Sequence, residues 1–202
     1  MTGASGGSTA AAAGDSGELR DEAHSVEVLD SEVVFPGRVW DIRRERFGYG
    51  DHEIVREFME HPGAVAVLAV DDEERVLVIQ QYRHPIQTRD WELPAGLLDV
   101  EGEDPLEAAR RELAEEADLA AQHWEPLITM HTSPGGSDEV IHVYLATGLS
   151  ATETFHREAE EADIVLRWVA LDEAVDAVLA SRARNGILMA AVLAAHARRS
   201  RA

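Results

Sequence analysis

The sequence predicts an α/β (α+β) fold in which a mixed β-sheet is sandwiched between helices and preceded by an antiparallel β meander. Three observations predict it. Short β-branched and aromatic runs dominate the first half, a helix with a complete start signal interrupts the strands near residue 105, and two helical segments close the chain.

From Ser25 to about Met59 the runs "HSVEVLDSEVVF", "RVWDIRRERF" and "HEIVREFM" mix β-branched, aromatic and charged residues, with Gly-bearing breaks between them. This pattern suits an antiparallel meander with one wet face. "GAVAVLAV" and "RVLVIQQY", joined by the acidic turn "DDEE", are apolar without interruption and read as buried central strands. In "DWELPAG", Pro94 and Gly96 mark a loop. A helix is expected to begin at Pro105: Asp104 caps it, Pro suits its first position, and Glu107 is placed to return the hydrogen bond. At about 100° per residue, Leu106, Ala109, Leu113 and Ala117 then form one apolar stripe. "EPLITMHT" and "EVIHVYLAT" read as strands around "SPGGSD", followed by the acidic loop "TETFHREAEEAD" and a strand "IVLRWVAL". The closing helices are "DEAVDAVLASRA" and "GILMAAVLAAHARRS". The second is apolar nearly all round, so it is expected in the core or against another subunit.

The length, 202 residues, suits one domain or a domain with an appendage. The Gly/Ala/Ser-biased residues 1–22 are expected to be a disordered tail, 23–60 an N-terminal β region, and 61–200 the main domain. The tail lacks the basic and apolar regions of a secretory signal. With no cysteine, disulfides, thiolate nucleophiles and Cys-based metal sites are excluded, which points to a reducing, cytoplasmic setting. No apolar run approaches the roughly 20 residues of a membrane span. Thirty-nine acidic against 18 basic side chains give a net charge of -21, so nucleic acid would be repelled over most of the surface.

Against that background the acidic helix stands out. Glu112 and Glu116 fall about 40° apart on it, with Glu115 about 60° to the other side of Glu112. A solvated helix would use these charges in the i,i+4 pairs Glu107–Arg111 and Arg111–Glu115. Glu112 and Glu116, however, are like charges at i,i+4, mildly destabilising unless a cation lies between them. A hard divalent ion such as Mg²⁺ would do this through carboxylate and carbonyl oxygens.

The run "GLLDVEGEDPLEAARRELAEEADL" resembles the Nudix box: Gly, five residues, Glu, seven residues, Arg-Glu, an aliphatic, any residue, Glu-Glu, any residue, Gly, an aliphatic. Glu103, Arg111-Glu112, Leu113, Glu115-Glu116 and Leu119 match. Gly96 lies one residue too far from Glu103, which implies a longer loop, and Asp118 stands where the family has its second Gly. Asp tolerates the left-handed conformation that a helix end often needs. The resemblance implies hydrolysis of a nucleoside diphosphate linked to another moiety. It implies Glu112, Glu116 and the Ala95 carbonyl as ligands of Mg²⁺, or alternatively Mn²⁺, with Glu115 supporting, Arg111 orienting a glutamate and Glu103 salt-bridging within the box.

Beyond the box, "SPGGSDE" reads by its chemistry as a Gly-rich hairpin loop, and it is also similar to the mark of the ADP-ribose pyrophosphatase subgroup. That likeness places Glu139 near the terminal ribose. It makes Glu160 the base that activates water, with Glu161 and Glu158 as alternatives in a segment otherwise typical of a solvated charge run. Arg83 resembles a phosphate contact, and a surface ion pair is its plain alternative. The subgroup exchanges its N-terminal β region to form a homodimer and to stack the adenine, for which Trp40 is the candidate beside Phe47 and Tyr49. The implied reaction converts ADP-ribose to AMP and ribose 5-phosphate. Two other readings stay open: a related small-molecule substrate (ADP-glucose, GDP-mannose, NADH or an 8-oxo-nucleotide), or a non-catalytic ADP-ribose-binding sensor. The nine histidines show no metal-ligand spacing.

Overall fold

The computed structural model describes residues 17–155 and 163–201. Most of the expected tail, and Glu158, Glu160 and Glu161, lie outside the described residues. The meander forms a sheet of its own: β1 (Val28–Phe35), β2 (Asp41–Tyr49) and β3 (His52–Glu60) pair antiparallel in the order β1-β2-β3. Exposed cross-strand ion pairs such as Arg44–Glu57 and Arg46–Glu53, at 2.8 and 2.9 Å, lace it together and contribute little individually. β1 is exposed along its whole length, with Val33, Val34 and Phe35 in the open and Phe35 63% exposed.

The described chain continues through β4 (Ala64–Ala69), β5 (Arg75–Arg83), β6 (Thr88–Glu92), β7 (Ala95–Leu97), α1 (Pro105–Ala117), β8 (Leu119–His131), β9 (Val140–Ala151), β10 (Val165–Ala170), α2 (Leu171–Leu179) and α3 (Gly186–Arg199). The strands form two further sheets, β7-β4-β9-β8, in which β4 and β9 run parallel, and β10-β5-β6. Alternation along β4 explains the layering. Ala64, Ala66 and Leu68 share a core with Val175 and Val178 of α2 and Leu188 and Val192 of α3. Val65, Val67 and Ala69 share another with Ala109, Leu113 and Ala117 of α1. A strand whose side chains alternate between two buried faces must be apolar at every position, as "AVAVLA" is. Helices therefore cover both faces, as the sequence predicts.

Several expectations need correction. "DWELPAG" is not a loop: β6 and β7 occupy it, turning at Leu93 and Pro94. Pro94 offers no donor, but its carbonyl accepts the Val67 N–H at 2.8 Å, so it fits beside a central strand. Strands this short leave little period to read; β6 pairs with the neighbouring β5, and β7 takes its partner, β4, from farther back in the chain. β8 starts at Leu119, directly after α1, rather than near Glu125, and a register shift between Pro126 and Ile128 accommodates the proline. Glu107 pairs with Arg110 at 3.4 Å rather than with Arg111. α2 ends at Leu179, short of the expected Ala183, with Ser181 at φ 55° breaking it. α3 buries one face, Leu188, Ala191 and Val192, against the core and leaves Leu193 exposed. None of the described helices is long and apolar enough to cross a membrane.

α1 begins where its start signal places it. The Asp104 carboxylate accepts the Leu106 N–H at 2.8 Å from an extended backbone. Asp104→Ala is expected to lower stability by about 1 kcal/mol. A denaturant melt reads this directly, and an unchanged midpoint would count against the cap.

Candidate active site

α1 carries the charged constellation. Glu116 is only 5% exposed, and its carboxylate accepts the Ala95 N–H of β7 at 2.9 Å. Glu112, one turn earlier, lies against Gly96, where a Cβ atom would overlap its carboxyl group. That close approach gives Gly96 its purpose: only glycine leaves room for Glu112 beside β7. The extra residue between Gly96 and Glu103 leaves this contact intact.

Arg111 gathers the remaining carboxylates. It reaches Glu103 with two hydrogen bonds of 3.2 and 3.1 Å, Glu112 at 2.5 Å and Glu115 at 3.3 Å. The Glu103 hydrogen bonds, then the charge of Glu112, hold the guanidinium above its ordinary pKa against the opposing effect of burial. The planar fork fixes the three glutamates relative to one another. At the helix end Asp118 adopts the left-handed conformation (φ 55°). Its carboxylate accepts the Phe155 N–H at 2.8 Å and its carbonyl the Thr152 N–H at 2.9 Å. A glycine there would supply the conformation but not the side-chain bond.

Among the described residues no three His, Asp or Glu side chains converge into a metal cage. Mg²⁺ does not require one, since it is commonly held by one or two carboxylates plus water and phosphate oxygens. The hard oxygen set of Glu112 and Glu116, with room for the Glu112 carboxylate made by Gly96, fits such an ion or Mn²⁺.

Beside Ala95 opens a cavity of about 450 Å³, lined among others by Trp40, Tyr82, Arg83, Glu92, Ala95 and Asn185. Three sequence-predicted residues, Arg83, Trp40 and Ala95, thus come together, although Trp40 is far from the other two in the chain. Glu139 lies outside this lining. It sits 3.4 Å from the buried His61 ring and accepts the Thr132 hydroxyl, and the Trp40 ring packs tilted against the same His61 at 5.4 Å between centroids. Tyr49 packs edge-on to His24 instead, and Phe47 sits in the β1–β2 ladder opposite Val28. Sequence reasoning missed Glu92, His61 and Asn185. The Asn185 side chain caps α3 by accepting from Ile187 and Leu188. Glu92 did leave a signal, an acidic residue between Trp91 and Leu93 in a strand that pairs with the one bearing Arg83.

Residues 59–190 match the model of the NUDIX domain. The chain belongs to the NUDIX family. This Nudix protein is 44% identical to the ADP-ribose pyrophosphatase of Mycobacterium tuberculosis (strain ATCC 25618 / H37Rv), over 86% of this chain and 84% of the relative. It is 38% identical to the methanol dehydrogenase activator of Bacillus methanolicus, over 77% of this chain and 84% of that protein. Its fold superposes on the crystal structure of an ADP compounds hydrolase with a TM-score of 0.73 at 20% identity, covering 88% of this chain and 95% of the other. The expectation of a Nudix hydrolase with a mixed α/β fold holds.

Proposed function

We propose that this Nudix protein hydrolyses the diphosphate of ADP-ribose to AMP and ribose 5-phosphate in the presence of Mg²⁺ or Mn²⁺. The observation that carries this reading is the placement of the Glu112–Glu116 pair against Ala95 and Gly96, beside a cavity that holds Arg83 and Trp40. The likeness to the mycobacterial ADP-ribose pyrophosphatase supports the choice of substrate.

Glu112 and Glu116, with the Ala95 carbonyl, would hold the divalent ion, and Arg111 keeps both Glu112 and Glu115 oriented. When bound, such an ion neutralises phosphate charge and acidifies water. Arg83 contacts the diphosphate oxygens and Trp40 offers its half-exposed ring to the adenine. Glu139, outside that lining and beside His61, is assigned to the terminal ribose on the resemblance alone. A Glu160 carboxylate oxygen, or that of Glu161 or Glu158 in its stead, takes the proton as water attacks phosphorus in line. The oxygen that bridged the two phosphorus atoms stays with the other phosphate, so one water is divided between the products.

Two copies pair, in this reading, through an exchange of the 23–60 β region. The exposed edge strand β1, with Val33, Val34 and Phe35 uncovered, supports that arrangement. Sedimentation at micromolar concentration is expected to give twice the 22.1 kDa chain mass, and a purely monomeric boundary would overturn the pairing. The lack of cysteine suits a cytoplasmic setting.

The direct test follows AMP release from ADP-ribose with and without Mg²⁺, beside ADP-glucose, GDP-mannose and NADH. Metal-dependent release that is fastest from ADP-ribose is expected. Preference for another diphosphate would overturn the substrate, and no turnover with retained ADP-ribose binding would favour a sensor.

A further inference from the structure

Glu92, at the end of β6, is a carboxylate only 4% exposed. Removing a carboxylate from water is costly, so a buried one needs compensating contacts. Both of its oxygens are occupied by Arg83: Nε donates to one at 2.8 Å and Nη2 to the other at 2.7 Å. Gln81, on the same face of β5 as Arg83, adds a longer contact of 3.4 Å. Arg83 itself lines the cavity beside Ala95 with its side chain 44% exposed. The pair is therefore asymmetric, with an anchored buried anion holding a cation that borders the cavity.

We propose that Glu92 is a positioning residue for the diphosphate: by clamping one edge of the Arg83 guanidinium, it fixes how that fork meets the phosphate oxygens. The inference rests on the reading that this cavity takes a nucleoside diphosphate. A long Arg side chain on a half-exposed surface otherwise samples many rotamers, and ordering it on binding weakens affinity. A two-point clamp settles that orientation beforehand, because the guanidinium is planar and its donors are rigidly spaced. The same contact has an opposite electrostatic effect, since Glu92 places a negative charge near an anionic ligand. Positioning and charge thus predict opposite signs on removal of the carboxylate.

The experiment measures ADP-ribose binding by calorimetry without added metal, and KM and kcat with Mg²⁺, for wild type, Glu92→Gln, Arg83→Ala and the double variant. Glu92→Gln is expected to weaken binding and raise KM about tenfold with a smaller change in kcat. In the Arg83→Ala background the same change is expected to have almost no effect, because the two residues act as one unit. Tighter or unchanged binding in Glu92→Gln would overturn the proposal, as would equal losses in both backgrounds, the mark of a merely structural carboxylate. If Glu92→Gln does not fold, Arg83→Lys keeps the charge and loses the fork. A loss of similar size is expected there, and wild-type affinity would overturn the proposal. Wild-type protein that binds another diphosphate of the panel overturns the substrate reading alone, and the cycle is then run on that ligand with the same expected sign. Binding of none would overturn both.

Discussion

Glu112→Gln is expected to lower turnover about a hundredfold or more at saturating Mg²⁺ while the thermal midpoint moves by only a few degrees. Glutamine has nearly the same shape, so the space beside Gly96 remains filled. Arg111 keeps its two hydrogen bonds to Glu103, at 3.2 and 3.1 Å, so the helix retains its main side-chain tie. What disappears is the negative charge a hard divalent ion selects. AMP release measured across a Mg²⁺ titration, together with a melt, separates the two effects. Near-normal turnover would sink the assignment of Glu112 as a metal ligand.

The second large effect is expected from a single methyl group. Gly96→Ala places a Cβ where the Glu112 carboxyl now lies, in a β7 residue paired with Val65 of β4. β7 is tied to β4 by its ladder, whereas the carboxyl is the far end of a rotatable side chain. The carboxyl will therefore move, at a stability cost of about 1 kcal/mol, near the low end for overpacking. Turnover is expected to fall towards that of Glu112→Gln, and the double variant to be little worse than either single one. Full activity in Gly96→Ala would show that the position of the Glu112 carboxyl does not matter. A collapse of stability would show instead that the backbone, not the side chain, had to yield.

These two residues also show what could be read in advance. Glu112 was legible because a helix has a fixed period: once Asp104 and Pro105 set the start, the face shared by Glu112 and Glu116 followed from local geometry. Gly96 was legible only as a misplaced motif residue, since its reason is a contact with a side chain sixteen positions later. The strand β4 was plain from its unbroken apolar run, whereas β6 and β7 read as a loop because strands of five and three residues carry too little periodicity to be told from one and owe their identity to pairing with β5 and β4. Arg83 was a candidate without a neighbour until the hairpin brought Glu92 against it.

By itself the sequence determined the acidic helix and its caps, the buried strand β4 and the presence of helices on the sheet's faces, because each depends on spacing within a few residues or on apolar content. Only the tertiary structure decided that Gly96 makes room for Glu112, that Glu116 is tied to β7, and that Arg83, Glu92, Trp40 and Ala95 share one cavity. Those are contacts between different strands and helices, and they are settled by strand pairing and by packing on two faces of a sheet rather than by local preference.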